Sequence, residues 1–498
     1  MPLSRRLLQW CVNASRWLAA AFFTYEPRSS AKWLGRLWVA ALFLGGALAW
    51  YSFFNGGSID FTRHDWIEAG HRYAFLQDAA RAGALPLHMP GEWALRNVTD
   101  RFMSVADTNL SPQLILLRFM GVGRFILLNA LLLYSVGFAG LLLLRRRFQF
   151  SPLAFTAIYL LLFFGGHVVA HLSVGHVHWV AYFLFPYFLL LVVEAIDGPR
   201  HPWRWTLYLS VYMLAILLQG AFHLFTASIF FLGLLALSHL ERFGLVLRAM
   251  VAAGLVGAVR ILPPLLHASE YDTEFLSGFA TMEELLEGLV HLVPPRPELV
   301  FRNNPLNPLG WWEMDYYIGV LGLAFVVGFS VYGWLQGGAN SRRYRWILAP
   351  VAIMVVLTIG QTYGVFHEIQ FPLLSTQRVS TRLLHVPLSI LVLLAAIGFQ
   401  QLLNNRKTIV ATMIALAIGS VGLAYDLWTH FQLWRVANIS ALFTSDPIDM
   451  SLDVVANHAD PAYIAAIVGG TVITLASLII LGYLSWKETA RATASGGL

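Results

Sequence analysis

The chain has 498 residues, 58% of them hydrophobic and only 12% charged, with a formal net charge of +6. That charged share is about half of what soluble proteins carry. The apolar residues recur in runs of about 15–24, the length that crosses a ~30 Å hydrocarbon layer. A soluble multi-core protein is thereby excluded, and with no Lys/Arg-rich domain so is nucleic-acid binding. The one cysteine, Cys11, excludes an internal disulfide framework and a Cys-rich metal site.

The expected architecture is all-α: a polytopic membrane helical bundle of about 12 transmembrane helices, forming one unit over residues 1–498 with no separate soluble domain. Within residues 1–32, Leu3 to Phe23 carries Arg5, Arg6 and Arg16 and reads as an amphipathic helix on the inner surface rather than a cleaved signal. Spans are predicted at Trp33–Phe54, Phe125–Leu144, Ser151–Gly166, Trp179–Val193, Trp203–Leu218 and Phe222–Leu237. They continue at Leu245–Leu266, Tyr316–Leu335, Trp346–Gly360, Leu383–Leu403, Ile409–Tyr425 and Ala462–Ser485. Short turns with Arg145, Arg146 and Arg147, then Arg200 and Arg204, then Arg342, Arg343 and Arg345, then Arg406 and Lys407 fall on one side. Basic residues in short loops mark the cytoplasmic face, which puts both termini in the cytoplasm of a cell-membrane protein. With these spans the inner side holds 20 of the 33 Lys+Arg and 5 of the 27 Asp+Glu. The outer side holds the other 13 basic residues, 22 acidic residues and 14 of the 16 histidines.

Residues 55–124 and 267–315 form long outer loops with short helices. In the first, Asp65–Gly83 has helical periodicity, with Trp66, Tyr73, Phe75 and Leu76 on its apolar side, and Ser111-Pro112 opens another short piece. The stretch from Asp60 to Trp66 places two carboxylates, Asp60 and Asp65, with Arg63 and His64 at the membrane boundary. There a low dielectric tunes a carboxylate for proton transfer; Asp65 is equally suited to cap the next helix. Arg378 and Arg382 stand four apart before the tenth span, with His385 beyond; on a helix they share one face and suit a phosphate. Snorkelling to lipid headgroups is the other use of such arginines. Arg260, near the outer end of the seventh span, needs a partner inside the bundle.

His167, His171, His176 and His178 invite a metal reading, but Gly175 breaks the helix between the pairs and no HExxH glutamate is present. They are read as hydrogen-bonded residues, and no protein-held metal site is expected. Glu313 and Asp315 lie in the aromatic stretch Trp311–Tyr317, placed either to hold sugar hydroxyls or within an interfacial aromatic belt.

These segments resemble the GT-C superfamily, the polytopic glycosyltransferases that use polyprenyl- or dolichyl-phosphate-linked sugars. The resemblance is carried by HDWIEAGHRYAFLQDAARAGALPL after the first span, NLSPQLILLRF, GGHVVAHLSVGHVHW, VRILPPLL and PLLSTQRVSTRLLH. It implies an inverting transfer in which Asp65 is the general base with Asp60 behind it. Arg378, Arg382 and Arg260 would bind the donor phosphate, and His64, Glu313, Asp315, His176 and His178 would line the sugar and acceptor pocket. The partners implied are a polyprenyl-phosphate-linked sugar donor, a glycan, lipid or protein acceptor, and the lipid bilayer. Two departures stand out. Asp60 and Asp65 are no Asp-x-Asp pair, which leaves dependence on a divalent cation (Mg or Mn) open, and no large C-terminal soluble domain is expected. The competing readings are a transporter or flippase of lipid-linked sugars and a non-catalytic subunit of a membrane complex.

Overall fold

A computed structural model describes residues 17, 21–25, 32–88, 101–266, 275–276, 278–295, 301–302, 309–335, 339–369, 377–405, 410–443 and 460–494. Most of the expected inner-surface helix at Leu3 to Phe23, the Arg406–Lys407 turn and parts of the 267–315 loop lie outside the described residues. The described chain is helical apart from one antiparallel pair of two-residue strands, Phe301–Arg302 with Leu309–Gly310.

The helices in chain order are α1 (Lys32–Phe53), α2 (Trp66–Ala82), α3 (Val122–Phe148), α4 (Pro152–Phe163), α5 (Gly166–Val174) and α6 (Phe185–Asp197). Next come α7 (Pro202–Leu218), α8 (Phe222–Ser238), α9 (Phe243–Val256), α10 (Ala258–Leu266) and α11 (Met282–Val290). The last, apart from the single turn Ile439–Leu442, are α12 (Gly319–Leu335), α13 (Ala339–Leu357), α14 (Gly360–Glu368), α15 (His385–Asn404), α16 (Val410–Leu433) and α17 (Pro461–Ala494). Local sequence sets their ends. The Ser151 side chain accepts from the Ala154 backbone N–H at 3.4 Å and Pro152 fills the first helical position of α4, a combination suited to a helix start.

Helices cover each of the twelve apolar runs, yet only seven of them are long and apolar enough to cross a membrane alone among the described residues. An eighth is gained if Phe222–Ser238 and Leu240–Val256, which meet at 117°, count as one bent span. The others fall short of that length because several helices stop at 17 residues or break, as α9 and α10 do at Gly257.

Burial differs widely among the long helices. Pro152–Val174 and Ser380–Asn404 are 89% buried, whereas Ala411–Leu433 is 11% and Pro461–Thr493 22% buried. The exposed helices nevertheless carry large apolar side chains outward, with Leu48, Ile418, Val421 and Ile479 exposed. A helix apolar on every side is at ease only where its surroundings are apolar too, the property of a membrane protein.

The bundle has two distinct ends. At one, Asp197 accepts from Arg147 at 2.6 Å and from Arg343. There too the Ser151 backbone N–H donates to Gln400 at 2.7 Å, and the Glu488 carboxylate accepts from the N–H groups of Trp203 (3.1 Å) and Arg204 (3.2 Å) at the start of α7. At the other, the Val436 N–H donates to the Phe53 carbonyl (3.2 Å), and the Tyr463 hydroxyl bridges Met103 N–H (2.8 Å) and the Leu87 carbonyl (2.9 Å). The first helix therefore starts, and the last one ends, at the arginine end. The candidate site lies at the opposite end.

Candidate functional site

Helix α5 ends at Gly175, whose φ of 108° is reached at little cost only by glycine. A side chain there would also overlap the backbone of Asp65 and Trp66. This close approach sets His176 against Asp65. The Trp66 indole N–H, donating to the Ser173 carbonyl at 2.8 Å, pins the start of α2 to the end of α5. Asp65 occupies the N-cap position of α2 but makes no capping hydrogen bond. Its Oδ2 instead meets His176 Nε2 at 2.5 Å.

From there a polar line runs inward. With His176 Nε2–H donating to the carboxylate, its Nδ1 accepts from Nδ1–H of His171 at 2.8 Å, a tautomer choice dictated by the network. His171 stacks on Trp179 with ring centres 4.0 Å apart. Its Nε2 lies 3.9 Å from Glu313. The Glu313 carboxylate, 2% exposed, takes a two-pronged bond from Arg382, Nε at 2.9 Å and Nη2 at 2.5 Å. Such paired, charge-assisted bonds fix direction as well as affinity. Asp65 keeps 26% of its side chain exposed and Arg382 22%, so both ends of the line reach solvent-accessible space.

A second polar group sits beside it. Asp315, fully buried, accepts from His430 Nε2 at 2.9 Å and from the Tyr317 backbone N–H at 3.0 Å. The Tyr317 hydroxyl donates to Asp426 at 2.5 Å while its ring stacks on His430 at 4.5 Å. A third group is Asp107 with His178 and His223. Two trios bring their ligand atoms within 4.8 Å of one another: this third group, and His171 with His176 and Glu313. Around Asp107, burial pushes the carboxyl up, but the positive field of His178, Arg72, Arg382 and His176 outweighs it and holds the group below the usual carboxylate range.

The structure treats the predicted residues unequally. Asp65, His176, Glu313 and Arg382 meet in one line, and His178 stacks on His176 with ring centres 5.7 Å apart. Asp60 faces outward with 58% of its side chain exposed; hydrogen bonds from Thr62, aided by Arg63, hold its carboxyl below the ordinary value. His64, at φ 50°, packs its ring edge-on to Trp312 at 6.2 Å. Burial pushes its imidazole below the ordinary value against the opposing pull of Asp65. Asp315 belongs to the neighbouring group.

Two expectations need correction. Arg378 and Arg382 do not share a helical face: Ser380–Leu384 is a 3₁₀ turn preceded by an extended Val379, and the Arg378 carbonyl is tied to Leu276 N–H at 2.9 Å. Arg260 does find its partner inside the bundle, but that partner is backbone. Its guanidinium donates to the carbonyls of Met103 (3.1 Å), Val105 (3.2 Å), Ala106 (3.1 Å) and Thr108 (3.0 Å), and more weakly to Leu217 (3.4 Å). Those donors shape a loop and are not aimed at a phosphate.

Asp107, His223, Asp426 and His430 escape sequence reasoning. Asp107 lies in a loop, His223 at the start of α8, and Asp426 and His430 in the last turns of α16; the partners they meet come from distant segments. Comparisons with protein-family models, with curated proteins and with solved structures yield no match.

Proposed function

We propose that this chain is a membrane glycosyltransferase of the GT-C kind, moving a sugar from a polyprenyl-phosphate donor to an acceptor hydroxyl at the outer face of the cell membrane. In this reading twelve helical segments cross the bilayer and both termini are cytoplasmic. The observation that carries it is the line from Asp65 through His176 and His171 to the Glu313–Arg382 pair, assembled from four distant segments at one end of the bundle.

The chemistry follows from the contacts. Asp65, oriented by His176 through Oδ2, takes the proton of the acceptor hydroxyl. The acceptor oxygen bonds to the anomeric carbon as the bond from that carbon to the phosphate oxygen breaks, inverting the centre and releasing polyprenyl phosphate. Arg382 has five N–H donors and spends two on Glu313, so the remainder serve the phosphate as its charge grows. Glu313 keeps the guanidinium in place before substrate arrives.

The test is release of polyprenyl phosphate by full-length protein in vesicles, supplied with a panel of polyprenyl-phosphate sugars and with glycan and lipid acceptors. Turnover that needs Asp65 supports the reading. Movement of lipid-linked sugar across the vesicle wall with no donor consumed would replace it with transport. Sidedness is read separately: in a Cys11→Ser background, Asp60→Cys is labelled from outside intact cells and Arg342→Cys is not.

A further inference from the structure

We propose that Asp107, His178 and His223 form a binding site for one divalent transition-metal ion of the zinc type. Their three ligand atoms lie within 4.8 Å of one another although they come from three separate segments. Two imidazoles and one carboxylate suit Zn²⁺, Mn²⁺ or Fe²⁺, and three protein ligands leave one position of a tetrahedral shell open for water or an anionic oxygen. Ligand atoms in such a shell, with bonds of ~2.0–2.1 Å, stand roughly 3.3 Å apart, a contraction that small side-chain rotations supply.

A second observation points to a ligand. His223 is only 6% exposed, yet neither of its ring nitrogens has a hydrogen-bond partner among the described residues; the same holds for Nε2 of His178. Buried polar atoms are nearly always satisfied, so these lone pairs and N–H groups are waiting for a partner. The other trio offers less. Both nitrogens of His176 are engaged, by Asp65 and His171, and both oxygens of Glu313 accept from Arg382.

The surroundings hold the site in shape. Arg260 grips the carbonyls of Val105, Ala106 and Thr108, the residues on both sides of Asp107. Gly220, at φ 81°, lets the Asp107 backbone lie directly on the link that leads to His223; a side chain at 220 would overlap it. Asn109 donates to the side chain of Gln219 at 3.2 Å, fastening the same loop to the same link, and Asn129 of α3 donates to that side chain at 2.9 Å. The carboxylate and His223 are thus brought together by backbone contacts independent of any ion, the preorganisation a selective metal site needs. The site does not depend on which reaction the neighbouring line of residues performs.

Untagged full-length protein in detergent is stripped with EDTA, freed of chelator and titrated with Zn²⁺, then in parallel with Co²⁺. The expected result is one Zn²⁺ per chain after desalting, together with visible Co²⁺ bands of a four-coordinate site. X-ray absorption on the zinc form is expected to show two imidazole nitrogens and a carboxylate oxygen at ~2.0–2.1 Å. Asp107→Asn and His223→Asn are expected to weaken uptake by more than the ~10–100-fold typical of changes outside the ligand shell. Stripped wild-type protein that retains no zinc after desalting overturns the proposal. So does an all-oxygen shell, or uptake abolished by Glu313→Gln but kept in both Asp107→Asn and His223→Asn. The wild-type titration and spectrum decide the matter even where a variant fails to fold. No sugar transfer enters the readout, so its failure and that of the transferase reading are distinguishable.

Discussion

At the arginine end of the bundle, Arg147 and Arg343 share the single carboxylate of Asp197, and Arg147 keeps 45% of its side chain exposed. At the opposite end, Glu313 and Asp315 are buried to within 2% and each is matched to a partner from a distant segment, Arg382 and His430. Both ends use opposite charges in contact, but to different ends. Exposed pairs in high dielectric add little stability and serve mainly to orient the chain in the bilayer. Buried pairs are expensive to assemble and costly to break, so they are tolerated where a fixed geometry is needed.

The largest effect is expected at Asp65. On the transferase proposal, Asp65→Asn keeps the side chain's shape and removes the proposed base, so transfer should fall by ~10²–10⁴-fold with little change in thermal stability. Asp60→Asn, altering an outward-facing carboxylate, should lose much less; the reverse ranking, measured as donor consumption, would move the base to Asp60. Next comes Arg260→Met, which strips four or five buried carbonyls of their donor. At ~1–3 kcal/mol per buried group left unsatisfied, partly relieved by relaxation, a loss of about 3 kcal/mol is expected. It should appear as a melting temperature lower by on the order of 5 °C. An unchanged melting temperature would show that the loop holds its shape without the guanidinium.

Glu313→Gln should cost roughly 2 kcal/mol, below the ~3–5 kcal/mol of a fully buried broken pair because Arg382 remains partly exposed. Glu313→Leu combined with Arg382→Met should recover that stability while transfer stays lost, which separates the pair's structural part from its chemical one. At the arginine end, Arg147→Ala should shift stability by less than about 1 kcal/mol and leave transfer unchanged. A loss there as large as at Glu313 would erase the contrast between the two ends.

The helices were legible because apolar runs long enough to matter cannot hide in a sequence, and Gly83 and Gly175 end α2 and α5 where the pattern places the stops. Residue types at the site were legible too, as polar groups gathered near one set of helix ends. Their partnerships were not. The Asp65–His176 contact spans 111 positions and Arg382–Glu313 spans 69, distances over which no local spacing rule operates. The four-residue spacing of Arg378 and Arg382 implied a shared face only if the backbone there were α-helical, and a 3₁₀ turn removes that premise. Arg260 suggested an anion because a membrane-level cation needs a partner; a loop folded back from residues 103–108 supplies carbonyls instead. Asp107 depends on that same loop, and its neighbours emerge only once Arg260 has shaped it.

The wide sequence separation along the polar line has a consequence for biosynthesis. Asp65 leaves the ribosome 317 residues before Arg382, the difference between their positions. At ~5–20 residues per second that is a wait of roughly 15–65 s. During it Asp65 can pair with His176, but neither has the Glu313–Arg382 anchor, and Asp315 has no His430. The early helices of the newborn chain are therefore complete long before the polar line that joins their ends. The line and its neighbouring group close late, once the tenth and eleventh apolar segments bring Arg382 and His430.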